Sequence, residues 1–95
     1  MIERHVTFEV LPDQTARFES FFKEEYRPAM SKSPGFIAVG LLAQKDNPAR
    51  YQMIIRFESQ TDADAWRASE AHKTLSPRLK SLYSASQVTV YEPVA

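Results

Sequence analysis

Trp66, Ser69 and His72 sit three residues apart in the segment AWRASEAHKTL (65–75). They include the only tryptophan and one of the two histidines. An imidazole titrates near neutrality, so His72 has the chemistry of a general base or proton shuttle. An indole offers a flat apolar wall on which an aromatic ligand can stack. On a helix, Trp66 and His72 lie about 60° to either side of Ser69, at about 100° per residue. All three therefore share one face, with Ala65, while Asp64, Arg67 and Ala71 take the opposite one. A core-facing helix buries the same arc, so plain packing is the competing account of Trp66. For His72 the competing account is a structural histidine with both ring nitrogens satisfied. No Asp or Glu is spaced to complete a Ser–His–acid triad around Ser69. Tyr51 heads a strand and can reach a cavity under this helix as a polar contact. The other tyrosines, Tyr26, Tyr83 and Tyr91, read as packing residues. His5 and His72 are too few ligands for structural zinc, and no metal site is expected.

The elements that position these residues show in the periodicity. Residues 2–10 alternate, with Ile2, Val6, Phe8 and Val10 on the parity that also holds Arg4, and Glu3, His5, Thr7 and Glu9 on the other. That is a strand with one apolar face. Pro12-Asp13 ends it, and Asp13 is placed to cap a helix. Phe18, Phe21, Phe22 and Tyr26 then recur at helical spacing, with Glu19 and Lys23 paired on the wet side. Pro28 predicts a kink or an end near Arg27. Ser33-Pro34-Gly35 is a turn, 36–44 a strand, 45–50 a loop and 51–59 a strand. Thr61-x-x-Asp64 reads as a capping box opening a helix near residue 62. Ser76-Pro77 reads as the start of a shorter helix reaching about Tyr83. The closing segment QVTVYEPVA is a strand frayed by Pro93.

This order, β-α-β-β-α-β, is the split βαβ pattern of ferredoxin-like α+β folds. Two helices would cover one face of a four-stranded antiparallel sheet. The other face would carry Glu3, His5, Thr7, Gln52, Ile54, Arg56 and part of the second strand. Such a mixed, half-apolar face invites pairing with a second copy, sheet against sheet. The 95 residues, with 43% hydrophobic content and no linker or low-complexity tract, fit one domain spanning 1–95. A chain of this length buries only roughly 60% of its unfolded surface, so a subunit interface would help stabilise it.

Composition narrows the functional classes. The formal net charge is zero, which gives no basic footprint for a nucleic-acid backbone. There is no cysteine, so disulfides, thiol catalysis and cysteine metal sites are excluded. The N-terminus is charged and alternating without a signal-peptide core, and no segment is long enough to span a bilayer. A cytoplasmic protein with no membrane partner is expected.

Three stretches, SPGFIAVGLL, RYQMIIRFES and AWRASEAHKTL, together resemble the antibiotic biosynthesis monooxygenase domain family, and the likeness covers nearly the whole chain. The resemblance implies a ferredoxin-like protomer whose sheets associate into a homodimeric α+β barrel. It implies a cavity in each protomer between helices and sheet, lined by Trp66 and His72. Members of this family oxidise aromatic polyketides or quinols with O₂ and no metal or flavin, bind and degrade haem, or have no known catalytic role. Haem-degrading members carry an asparagine on the first strand, a tryptophan on the second helix, and a ligating histidine nine or ten residues later. Trp66 fits, but Leu75 and Ser76 occupy the later positions, and the first strand offers His5 and Thr7 instead of asparagine.

The leading expectation is a cofactor-independent monooxygenase acting on a small aromatic substrate, a quinol, phenol or anthrone-like compound, together with O₂. His72 is the expected base, Trp66 the stacking wall, and Ser69 and Tyr51 further substrate contacts. Arg56 would reach a developing oxyanion only from inside the cavity, and its strand parity points it away. A haem-binding protein using His72, and a non-catalytic dimeric ligand-binding or stress domain, are the alternatives.

Overall fold

Alternation in the first strand decides where the core lies. Along β1 (Ile2–Val10), Ile2, Val6, Phe8 and Val10 are buried, whereas Glu3, His5, Thr7 and Glu9 are only half-buried. The computed structural model describes all residues, Met1–Ala95. After β1 come a 3-10 turn (Pro12–Gln14), α1 (Thr15–Phe21), a π-turn (Phe22–Tyr26) and α2 (Arg27–Ser31). Then follow β2 (Phe36–Gln44), β3 (Asn47–Phe57), α3 (Gln60–Ala68), α4 (Glu70–Lys80) and β4 (Tyr83–Tyr91). The strands form one antiparallel sheet in the order β2-β3-β1-β4. The fold is therefore the expected ferredoxin-like α+β arrangement, with the helices on one sheet face.

The core is made where that face meets the aromatic stripe of the first helical arm. Phe18, Phe21, Phe22 and Tyr26 are all buried, and they pack with Met53, Ile55 and Phe57 of β3. Phe8, Phe18 and Tyr51 form a chain of tilted and edge-on rings with centroids 5.0–5.2 Å apart, a favoured aromatic geometry. All of the buried residues are apolar or aromatic.

Pro28 does not end the helix. In the π-turn just before it, the N–H of Arg27 reaches back to the carbonyl of Phe22, one residue further than in an α-helix. The extra residue absorbs the register change at the proline, which has no N–H to donate, and the helix continues to Ser31. Asp13 caps nothing: Leu11 and Gln14 stand at the cap positions, without side-chain hydrogen bonds. The expected loop 45–50 shrinks to Lys45 and Asp46, because β3 already begins at Asn47, which pairs with Gln44. Pro48 is tolerated in this strand because β1 pairs with β3 only as far as Arg50.

The second helical layer differs most from expectation. The capping box is Ser59-x-x-Asp62, two residues earlier than expected: the Asp62 N–H donates to Ser59 Oγ at 3.1 Å and Ser59 Oγ donates to the Asp62 carboxylate at 2.9 Å. The helix then breaks at Ser69, and α4 runs through Pro77 instead of starting there. Gly35, at φ +77°, makes the turn into β2. A Cβ there would collide with the Asp62 side chain, so glycine is required both for the turn and for seating the start of α3.

Candidate functional site

Ser69 builds the corner on which the candidate site depends. Its backbone is extended (φ −70°, ψ 155°), so α3 stops and α4 starts at this residue. Its hydroxyl donates to the Trp66 carbonyl at 2.6 Å and accepts from the His72 N–H at 3.2 Å. One side chain thus ends the first helix and caps the second. Trp66 and His72 consequently lie on two different helices, not on one continuous face. They still meet, because the corner folds α4 back: their rings are edge-to-face at 82°, with centroids 5.4 Å apart. Tyr26, from the π-turn, adds a second edge-on contact to Trp66 at 5.8 Å.

These three rings border a small cavity of about 30 Å³ between the helices and the sheet. Arg4 from β1 and Arg67 from α3 complete its polar wall, and Ile55, Phe57 and Ala63 its apolar one. As it stands it has room for about one or two molecules the size of water or dioxygen. A larger open groove of about 410 Å³ adjoins it, bordered by Lys32, Ser33, Pro34 and Ser69. Trp66 lines both spaces, and the groove is of the size that takes small organic ligands.

Electrostatics in the cavity are one-sided. His72 is half-buried, and its pKa is lowered first by burial, then by the charges of Arg67, Arg4 and Lys80, against an opposing pull from the Arg67 backbone. Burial and these cations therefore favour the neutral imidazole, the form that accepts a proton. Burial raises the Tyr26 phenol, while Trp66 and Arg4 oppose the rise. Burial and then the like charge of Arg67 lower the Arg4 guanidinium, which stays protonated all the same. No carboxylate lines the cavity. Nowhere do three His, Asp or Glu side chains gather as a metal-ligand set.

The structure brings Trp66 and His72 together, places Ser69 beside them as a cap and as part of the groove wall, and sets Tyr51 elsewhere. Tyr51 is four residues along β3 from Ile55, about 13 Å at strand spacing. Its hydroxyl donates to Glu19 at 2.6 Å, and burial followed by that carboxylate pushes its pKa up to about 12. Arg56 lies on the outer sheet face, as its parity implied, and donates to Glu3 at 2.6 Å. Glu3 also meets His5 at 2.7 Å, and His5 meets Gln52 at 3.0 Å.

Arg4, Tyr26 and Arg67 are the cavity residues that sequence reasoning passed over. Arg4 had a readable signal, a lone charge on the apolar parity of β1. Tyr26 was hidden within the aromatic stripe. Arg67 falls on the far side when residues 62–75 are read as one continuous helix.

The sequence matches the antibiotic biosynthesis monooxygenase family over residues 1–78. No curated protein matches it significantly. Among solved structures it is similar to SnoaB, a cofactor-independent oxygenase from Streptomyces nogalater, at 20% identity and a TM-score of 0.90, over 99% of this chain and 93% of that one. It is similar to Rv0793 from Mycobacterium tuberculosis at 18% identity and a TM-score of 0.85, over 99% and 95% of the two chains. It is also similar to a conserved protein from Methanosarcina mazei at 20% identity and a TM-score of 0.86, over 96% and 90%. At these identities the likeness speaks for the fold. The family match spans most of the chain, and with the fold it leads to one conclusion: this chain belongs to the antibiotic biosynthesis monooxygenase family.

Proposed function

We propose that the protein is a cofactor-independent monooxygenase that oxidises a small quinol, phenol or anthrone-like substrate with O₂, working as a homodimer through its outer sheet face. The observation that carries this reading is the half-buried His72 imidazole held edge-on to Trp66 at the wall of one cavity, where burial and nearby cations favour its neutral form. His72 removes the acidic proton of the substrate, leaving an electron-rich anion. The anion passes one electron to O₂, and the resulting radical and superoxide join as a peroxide. For an anthrone-like CH₂ group, loss of water from the peroxide leaves a carbonyl: one oxygen atom enters the product and the other leaves as water. The chain itself needs only a base, orientation and a site from which bulk water is kept out.

Trp66 supplies the stacking wall and Tyr26 an edge-on support behind it. Admitting a ring requires the cavity to widen. Arg67 is exposed, so its side chain can shift to make room for a ring without disturbing the core. Ser69 acts by holding the corner between α3 and α4, and Tyr51 lies too far along β3 to touch a substrate beside His72. Similarity in fold to SnoaB, a cofactor-independent oxygenase, supports the same reading.

The test is oxygen uptake by the purified protein with a panel of quinols, phenols and anthrones, with a hemin titration alongside. Uptake with at least one substrate, coupled to an oxygenated product, is the expected result. No uptake across the panel, or a stoichiometric hemin complex lost in His72→Ala, would remove this reading in favour of the binding alternatives.

A further inference from the structure

Most of the arginines outside the cavity have a partner that accounts for them. Arg50 pairs with Glu9, Arg56 with Glu3, and Arg78 with Glu25; Arg27 lies over the Phe22 ring. Arg4 and Arg67 form no ion pair. Arg4 is also the one charged residue on the core parity of β1. Its Nε is removed from solvent and has no hydrogen-bond partner. A buried guanidinium N–H without an acceptor is costly, and a second arginine at the same cavity adds like-charge repulsion. Asp64 is near enough to be felt by Arg4 but does not pair with it.

The cavity is thus rich in donors and poor in acceptors. Each guanidinium offers N–H groups in a planar fork, Tyr26 offers a hydroxyl, and no carboxylate faces them. What such a wall lacks is a planar acceptor carrying negative charge. We propose that Arg4 and Arg67 form a binding site for a planar oxyanion beside Trp66 and His72, so that the aromatic ligand is held as its anion, not as a neutral molecule. The inference names the ionic form of the proposed substrate and rests on the oxygenase reading only for the word substrate. In that setting the two charges stabilise the phenolate or enolate that His72 generates, lowering the acidity barrier the base must overcome. A carboxylate on the ring would satisfy the same forks. Phenolate and carboxylate are therefore the two sources of one recognition chemistry.

The experiment needs no turnover, so its failure is separable from failure of the oxygenase reading. Trp66 is the only tryptophan, and its fluorescence reports ligand binding at this wall. Two matched pairs serve as probes: benzoate against benzamide, and pentafluorophenolate against pentafluoroanisole. In the wild type at least one anion should bind about tenfold or more tightly than its neutral partner, as a charge-assisted contact implies. The pair with the larger ratio identifies the source, carboxylate or ionised hydroxyl. Arg4→Leu should abolish the preference and raise the melting temperature, because it removes a half-buried charge whose Nε has no partner. Arg4→Lys keeps the charge but loses the fork, and should retain part of the preference. Equal affinity for charged and neutral probes in the wild type would overturn the proposal. So would an Arg4→Leu protein that melts lower and keeps its anion preference, since the guanidinium would then be structural.

Discussion

His72 is the residue on which the proposed chemistry turns, and its surroundings make two predictions. Its folded pKa lies below the ordinary imidazole value, so the unfolded chain takes up the proton at higher pH than the folded one does. Stability should therefore fall as pH drops through the unfolded value of about 6.5 towards the lower folded value, and be unaffected above that window. Denaturant unfolding of wild type and His72→Gln at alkaline pH and about one unit below 6.5 checks this. The balance should shift in favour of His72→Gln at the lower pH; a gap that does not move with pH would show that burial does not act on this group. Tyr51 gives the contrasting case. Tyr51→Phe loses the hydrogen bond to Glu19 and should cost about 1 kcal/mol of stability, while kcat/KM stays near the wild-type value. A large rise in KM would place Tyr51 in the substrate site after all. At this scale the sequence exposed the residue types but not their neighbours. Trp66 and His72 were legible because they are scarce. Arg4 was visible only as a break in parity, since nothing in the string of residues shows that its guanidinium has no partner.

At the scale of elements, the corner at Ser69 matters most. The apolar spacing of Ala65, Trp66 and Ser69 runs on into α4, so periodicity alone reads one helix across the break. The local signal was a serine followed by Glu70 in a first turn, a cap signature outweighed by the longer pattern. The same competition moved the capping box from Ser59 to Thr61 and placed a helix start at Pro77. The strands were easier: alternation over β1 and β3 fixed which side chains face the core, and Val6 and Met53, which the structure pairs, both lie on that face. Ser69→Ala removes the hydroxyl that joins the two helices and should lower stability by about 1 kcal/mol. It should also lower turnover, because the Trp66–His72 contact depends on the corner. Ser69→Asp, which can still cap α4, should recover most of the stability, and thermal melts with activity assays on both variants check the pair. Gly35→Ala should be more damaging, since it adds strain at φ +77° and a clash with Asp62.

At the scale of the whole molecule, no helix is long and apolar enough to cross a membrane, and the helices leave one sheet face uncovered. That face exposes Leu42 and Tyr91 beside the Arg56–Glu3–His5–Gln52 network, a mixed surface suited to meeting its own copy. The proposed homodimer should sediment at about twice the 10.9 kDa chain mass, and Leu42→Glu should shift it towards monomer. A wild-type monomer at micromolar concentration would refute the dimer while leaving the cavity untouched, because Trp66 and His72 lie on the opposite, helix-covered side. The central claim, that His72 is the base for oxygenation in this cavity, meets its most direct test in one comparison. Oxygen consumption per folded molecule is measured for wild type and His72→Gln on the best quinol, phenol or anthrone substrate. Loss of a general base predicts a fall in kcat of about 10²–10⁴-fold in the variant; equal rates would contradict the account.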